Sequence, residues 1–391
     1  MRILTTGALC LLAFNAQANV IQYFVAGVSY SNPSELFKTK KGQFIIGGTG
    51  SYADLEFTGS VFNFNTEQYG MGTNSSKTYT LLPYGRLAKR LNDKIVVSLD
   101  VTEPFNSNLD WGTEPFTRYA NTENFMTDVD VSPRFSYDVN QKLHLGAGLN
   151  LNFITDNQVN FAMPTGATTW ANLMNNSTSF GLGYDLGISY VINQTNFINA
   201  FYYSSIQQNT KGHSSLGPLY SDNLNIALKL PSTASINYVH LFNQKWLASV
   251  KVFRIGWDSI KIVNMYNTAV PAPMSDFTFH MNYEPAYALQ GTIRNQFTDK
   301  LGIAVHGMID NSPAQEGHRS LPFPADTQYL MGISGDYRIN DITVIELFYG
   351  HVVSYPTIQN QVNTPGGSIP FTTGKVDINA NILDLRLKIE A

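Results

Sequence analysis

Apolar residues recur at every second position in segment after segment of this chain, and that period most constrains its fold. Leu143, Leu145, Ala147, Leu149, Leu151 and Phe153 alternate with His144, Gly146, Gly148, Asn150 and Asn152. Phe180, Leu182, Tyr184, Leu186, Ile188, Tyr190 and Ile192 alternate with Gly181, Gly183, Asp185, Gly187 and Ser189. Leu301, Ile303 and Val305 repeat the pattern, as do Leu385, Leu387 and Ile389 beside Asp384, Arg386 and Lys388. Successive side chains of a strand point to opposite faces, so each segment reads as a strand with one apolar face and one polar or small face.

The connections fall into two classes. Short polar turns stand at Asn92-Asp93, Asn140-Gln141, Asn193-Gln194, Asn243-Gln244, Thr298-Asp299 and Asn340-Asp341. Asn and Asp suit tight turns because they bond their own main chain and tolerate left-handed backbone. The intervals between turns, by subtraction of residue numbers, are 48, 53, 50, 55 and 42 residues, each room for two strands and one long loop. Fourteen strands are predicted, at 41–64, 77–91, 94–104, 124–139, 141–155, 179–192, 195–206, 228–242, 245–262, 285–297, 300–310, 327–339, 342–353 and 376–390. The long connections fall at 65–76, 105–123, 156–178, 207–227, 263–284, 311–326 and 354–375, all rich in Asn, Thr, Ser, Gly and Pro.

An even-stranded meander that alternates short turns with long loops is the pattern of an outer-membrane β-barrel. Lipid offers no partners to an open sheet edge, so the sheet must close on itself. Composition agrees. Only 14% of the residues are charged, against about 25% in soluble domains, while 13% are aromatic. Beyond the N-terminus no apolar run approaches the roughly 20 residues of a spanning helix. The net charge of -4 lacks the basic footprint of a nucleic-acid binder. Tyr79, Tyr137, Trp246, Trp257, Tyr329, Tyr337 and Tyr355 lie near strand ends, where interfacial girdles form. The adjacent apolar pair Ile382-Leu383 suggests a bulge.

Residues 1–18 carry Arg2, an apolar stretch from Ile3 to Phe14 and the small-x-small site Ala16-Gln17-Ala18, which reads as a cleaved signal peptide. The single cysteine, Cys10, lies inside it, so the exported chain has no disulfide or thiol chemistry. Phosphate-binding, paired-histidine and nucleophile-elbow motifs are missing. Catalytic residues, a bound metal and a cofactor are therefore not expected. His144 and His306 fall on inward faces, as polar lumen residues.

Several short motifs, taken in order, resemble the FadL family, the long-chain fatty-acid and hydrocarbon transporters of Gram-negative outer membranes. Asn32-Pro33-Ser34 stands where the family has Asn-Pro-Ala, ahead of the first strand. Glu103-Pro104-Phe105 is similar to the end of an early strand, Trp246 and Trp257-Asp258 open and close a later one, and Pro313, Arg319, Leu321 and Pro322 match a loop. The resemblance implies an all-β, 14-stranded antiparallel barrel of residues 41–391, plugged by an N-terminal hatch. That hatch, 19–40, is short here, with only residues 19–31 ahead of Asn32. It implies passive transport: capture outside, passage into the lumen and sideways release. The expected partners are a long-chain fatty acid or other hydrophobic small molecule and outer-membrane lipid, with the protein a monomer in the outer membrane of a Gram-negative bacterium. A non-specific aqueous porin and a surface adhesin barrel are the alternatives.

The 156–178 connection is the expected capture site. Phe161, Met163, Trp170, Leu173 and Met174 are apolar in a polar segment, methionine adapts to varied apolar shapes, and Thr168–Asn175 is expected to form a short helix. A carboxylate head would pair with a cation, for which Lys211, His213, His318 and Arg319 are the candidates.

Overall fold

The computed structural model describes residues 28, 31–166, 168–364 and 367–390; the expected signal peptide and its cysteine lie outside them. Fourteen strands among the described residues form one closed antiparallel sheet. They are β1 (Gly42–Asn63), β2 (Gln68–Arg90), β3 (Ile95–Thr102, continued by Asn106–Asp110), β4 (Glu123–Asp138), β5 (Leu143–Pro164), β6 (Trp170–Asn193) and β7 (Asn196–Tyr203, continued by Ile206–Leu216). The second half comprises β8 (Leu219–Leu230, continued by Thr233–Leu241), β9 (Trp246–Ile255), β10 (Ala286–Gln296), β11 (Leu301–Asp310), β12 (Gln328–Arg338), β13 (Thr343–Ser354, continued by Thr357–Thr364) and β14 (Gly367–Glu390). Each pairs with its sequence neighbour, and β14 closes on β1 from Gln43↔Glu390 to Val61↔Thr372. A closed sheet is what lipid demands, since every wall amide must find its partner within the protein.

One rim is built by a single device. In five of the six turns an Asn side chain accepts the backbone N–H groups that follow it. Asn92 Oδ1 takes those of Lys94 and Ile95, each at 2.9 Å. Asn140, Asn243 and Asn340 do the same, Asn193 takes that of Thr195, and Thr298 uses its hydroxyl. Such bonds satisfy amides that a tight turn would otherwise orphan. Leu91, Val139, Ile192, Phe242, Phe297 and Ile339, one residue ahead of each turn, are exposed apolar anchors at this rim.

The opposite rim departs from expectation. Most of the expected long loops are strands that run on as hairpins. Residues 64–67 join β1 to β2, 165–169 join β5 to β6, and Gly217-Pro218 joins β7 to β8, with Gly217 in the left-handed region at φ +56°. Thr168–Asn175 forms no helix, because Trp170 already begins β6 and pairs with Pro164. The Asn, Ser and Thr of these segments look like loop by composition, yet two paired neighbours supply a ladder that overrides such preferences. Irregular chain persists at 111–122, 256–285 and 311–327, the second of these holding a small hairpin of Ile262–Tyr266 with Phe277–His280.

The outer wall is as greasy as the alternation predicts: Phe180, Leu182, Tyr184, Leu186, Ile188 and Tyr190 are all exposed. Tyr79, Tyr137, Trp246, Tyr329, Tyr337 and Tyr355 are exposed too. Trp257 is not a girdle residue. It is buried in the interior against Tyr283 and Phe323, with ring centroids 5.8 and 5.7 Å away. No bulge separates Ile382 from Leu383, since the β14–β1 register is unbroken there. Ile382 faces in and Leu383 out, and the pair marks the height at which the lumen itself turns apolar.

Candidate functional site

The lumen has two halves of opposite character. Toward the short-turn rim, a 3-10 helix at Pro33–Lys38 lies inside the barrel. Its cap, Asn32, accepts the Ser34 amide at 3.0 Å and donates from Nδ2 to the Ile188 and Ala200 carbonyls of the wall, at 3.3 and 3.0 Å. Ser34 Oγ donates to Asn32 Oδ1 and lies 2.7 Å from Ser189 Oγ, while Ser136 donates to the Ser34 carbonyl. The turn fits because Gly146 and Gly187, paired across β5 and β6, show bare backbone to the lumen. A Cβ on Gly187 would overlap Asn32 Oδ1 and lie 2.9 Å from Pro33 Cδ; one on Gly146 would overlap the Ser34 amide. The small inward face of these strands is thus a cradle for Asn32-Pro33-Ser34. Phe37 stacks on His144 at 3.7 Å, and His144 Nδ1 lies 2.6 Å from Asp138 Oδ1.

A buried charge network sits beside this turn. Arg134, with no exposed side-chain surface, bonds Asp185 Oδ2 at 2.9 Å and Asp100 Oδ2 at 2.6 Å. It also donates to the Val28 carbonyl at 3.1 Å and to Ser31 Oγ at 3.3 Å. Arg86 grips the same Asp100 through both oxygens and reaches Ser31. Buried charges persist only when paired and hydrogen-bonded, and here the pairing also ties the N-terminal segment to four strands. Sequence reasoning missed this network. Asp185 among glycines was its visible trace, but the rest of the network lies on β2, β3 and β4, far away in sequence.

Toward the other rim the lumen is filled with apolar side chains. Phe57, Val61, Phe161, Leu173, Ile226, Met265, Phe279, Ile358 and Val376 are all fully buried within one cluster. Such a layer excludes water. Of the expected capture residues, Phe161, Met163 and Leu173 belong to it, and Trp170 packs against it. Met174 does not. It is 51% exposed on the outer face, because in a strand it must point opposite to Leu173. Arg118 of the 111–122 connection stacks over the Trp170 ring at 4.5 Å and so ties that connection to the start of β6.

The expected carboxylate cations do not converge. Lys211 and His213 face outward on β7, with His213 stacked on Tyr220. His318 is half-buried, Nε2 lying 3.3 Å from Asn282 Nδ2. Arg319 is buried and donates to the carbonyls of Ala325 at 2.6 Å, Ala314 at 3.0 Å and Thr357, with Asp326 3.1 Å away. Burial lowers its pKa, and Asp326 and Glu316 oppose that shift. It is a staple of the 311–327 connection. Arg319→Ala is expected to make that segment sensitive to limited proteolysis while leaving the relative uptake of a fatty acid and an uncharged hydrocarbon unchanged.

The ladder of the wall is interrupted at β2–β3. Their ladder runs only from Arg90↔Val96 to Gly85↔Val101. Beyond it, among the described residues, side chains tie the strands. Asn108 Nδ2 reaches the Tyr79 carbonyl at 3.2 Å, and the Asp110 amide reaches Ser76 Oγ at 3.1 Å. From Tyr79 to Gly85 this leaves a slot about 20 Å long, at about 3.3 Å per residue. Its cause is local. Thr102 opposes Asp130 and Asn106 opposes Thr127, so three residues of β3, Glu103-Pro104-Phe105, face two of β4. That is a bulge, and Pro104 has no N–H to give a neighbour. The inward set accordingly shifts from Val96, Ser98, Asp100 and Thr102 to Ser107 and Leu109. Leu81, Leu87, Leu99 and Val101, exposed on the outer face near the slot, set it at the level of lipid hydrocarbon.

Known proteins of this shape carry the comparison further. A FadL homologue from Pseudomonas aeruginosa superposes with a TM-score of 0.81 at 14% identity, over 98% of this chain and 96% of that one. The toluene transporter TodX of Pseudomonas putida gives 0.69 at 13%, over 98% and 99%, and the monoaromatic hydrocarbon channel CymD 0.63 at 12%, over 99% and 97%. No curated protein matches by sequence. At these identities the structures speak for the fold alone. The sequence profile of outer membrane protein transport proteins (OMPP1/FadL/TodX) matches residues 13–390. With nearly the whole chain matched, this protein belongs to that family of outer-membrane channels for hydrophobic substrates.

Proposed function

We propose that the protein carries hydrophobic small molecules, long-chain fatty acids or aromatic hydrocarbons, through the outer leaflet and releases them sideways into the bilayer. The observation that carries this reading is the water-excluding apolar layer beside a lipid-facing slot. A molecule captured between the outer connections needs only shelter for its apolar surface, and about 0.8 kcal/mol per buried methylene gives affinity without an energy source. The release path then leads to hydrocarbon rather than through the hatch. An aqueous porin would need an open polar bore, which the buried Phe57, Phe161 and Phe279 oppose.

The test is uptake of labelled oleate, labelled toluene and a labelled sugar by cells with and without the gene. Gene-dependent uptake of either hydrophobe, with no change for the sugar, is the expected result. Sugar uptake alone would overturn it. Phe161→Asp, which sets a charge in the apolar layer, is expected to cut hydrophobe uptake about tenfold or more, because an unpaired buried carboxylate is costly at that height.

A further inference from the structure

We propose that Asp128 is a positioning residue that holds the β2–β3 slot open; the proposal builds on the lateral-release reading. Asp128 lies on β4, fully buried, directly behind the bulge. Its Oδ1 accepts the backbone N–H of Phe105 at 2.7 Å. Its Oδ2 accepts Asn152 Nδ2 at 2.7 Å, and the same amide nitrogen lies 2.7 Å from Asp130 Oδ1. Asp130 Oδ2 in turn accepts the Tyr203 hydroxyl at 2.6 Å. Asn152 therefore fixes the orientation of the Asp128 carboxylate on one side while the bulge amide loads the other.

The consequence follows from the wall's demand for hydrogen bonds. A strand amide at membrane depth must find an acceptor, because lipid supplies none. The Phe105 amide has two sources of acceptor: the carboxylate in the lumen or a carbonyl on the unladdered stretch of β2. The lumen acceptor holds Phe105 inward, where its ring is buried in the apolar cluster, and keeps β3 away from residues 79–84. With the carboxylate removed, the cheapest repair is for β3 to swing outward and extend its ladder with β2. The slot then closes.

The experiment compares wild type, Asp128→Ala, Asp128→Asn and Tyr203→Phe, all with heat-modifiable folding verified. The Asp128→Asn variant keeps the shape but turns its NH2 group toward one of the two donors, so it tests the point if the alanine variant does not fold. Tyr203→Phe perturbs Asp130 and leaves the Phe105 bond intact. Hydrogen–deuterium exchange is read at 79–84, together with binding of N-phenyl-1-naphthylamine and its rate of transfer from the protein to acceptor vesicles. Both Asp128 variants are expected to gain protection at 79–84 and to transfer the probe about tenfold more slowly, the size of effect that follows from losing one buried hydrogen bond, with binding unchanged. Tyr203→Phe is expected to match wild type. Unchanged or faster exchange at 79–84 in the Asp128 variants would overturn the assignment, as would an equal response to Tyr203→Phe. If wild type carries no hydrophobe in the uptake assay, the functional reading fails, while the exchange result still decides whether Asp128 sets the slot.

Discussion

Replacing Gly187 with valine is expected to expel the Asn32-Pro33-Ser34 turn from the lumen. The overlap falls on Asn32, whose side chain is fixed by two wall carbonyls and the Ser34 amide, and on the rigid Pro33 ring. None of these can yield without breaking the others. The strand itself has no objection, since β-branched residues favour strands, so heat-modifiable mobility should be retained. Planar-bilayer conductance should rise above wild type, and residues 31–40 should become open to protease. Gly146→Ala should act in the same direction. The double substitution should add little to either single one, because both release the same turn and neighbouring changes are not additive. Wild-type conductance and protection in Gly187→Val would show that the cradle does not hold the segment.

Loss of Arg134 should have the largest effect on stability. Replacing it with methionine keeps most of the bulk but leaves Asp100 and Asp185 buried, Asp185 having lost its guanidinium and Asp100 one of two. Removing one partner of a buried pair costs about 3–5 kcal/mol, so the urea midpoint in lipid vesicles, followed by tryptophan fluorescence, should fall sharply. The contrast is Arg294–Asp336, also a lumen pair at 2.8 Å but with 28% and 32% of its side chains exposed. Arg294→Met should cost about 1 kcal/mol or less, as solvated pairs do. Equal losses in the two variants would mean that burial is not what gives the Arg134 network its weight. Because Arg134 also holds Val28 and Ser31, its loss should raise conductance as well.

Much of this architecture can be read from one sequence, for definite reasons. Period-two rows and Asn-built turns are local signals, and the short-turn rim and all fourteen strands follow from them. Phe161 and Leu173 are legible as apolar residues in an otherwise polar segment. Met174 is misplaced by a reading that makes 156–178 a loop, where parity does not apply. Once Trp170–Asn193 is a strand, residues 173 and 174 must part company. Arg319 reads from sequence as a surface cation, whereas its donors hold the carbonyls of its own loop. The slot is least visible. Glu103-Pro104-Phe105 announces the end of a strand, but that the chain resumes with one extra residue, and that a carboxylate 23 positions later accepts the extra amide, is a relation between strands that no local pattern encodes.

The seam between β1 and β14 has a use of its own. Gln43 faces Glu390 and bonds it at 3.2 Å, so the segment entering β1 and the residue leaving β14 reach the same rim side by side. A short linker from there to the stretch ahead of Ser31, with the chain reopened at the Asn193–Thr195 turn, would yield a circular permutant that keeps every interstrand pairing. In that molecule the Asn32-Pro33-Ser34 segment is held in the lumen from both sides. Cargo that still crossed would have to pass around a fixed obstacle, and cargo that did not would show that passage needs that segment to move.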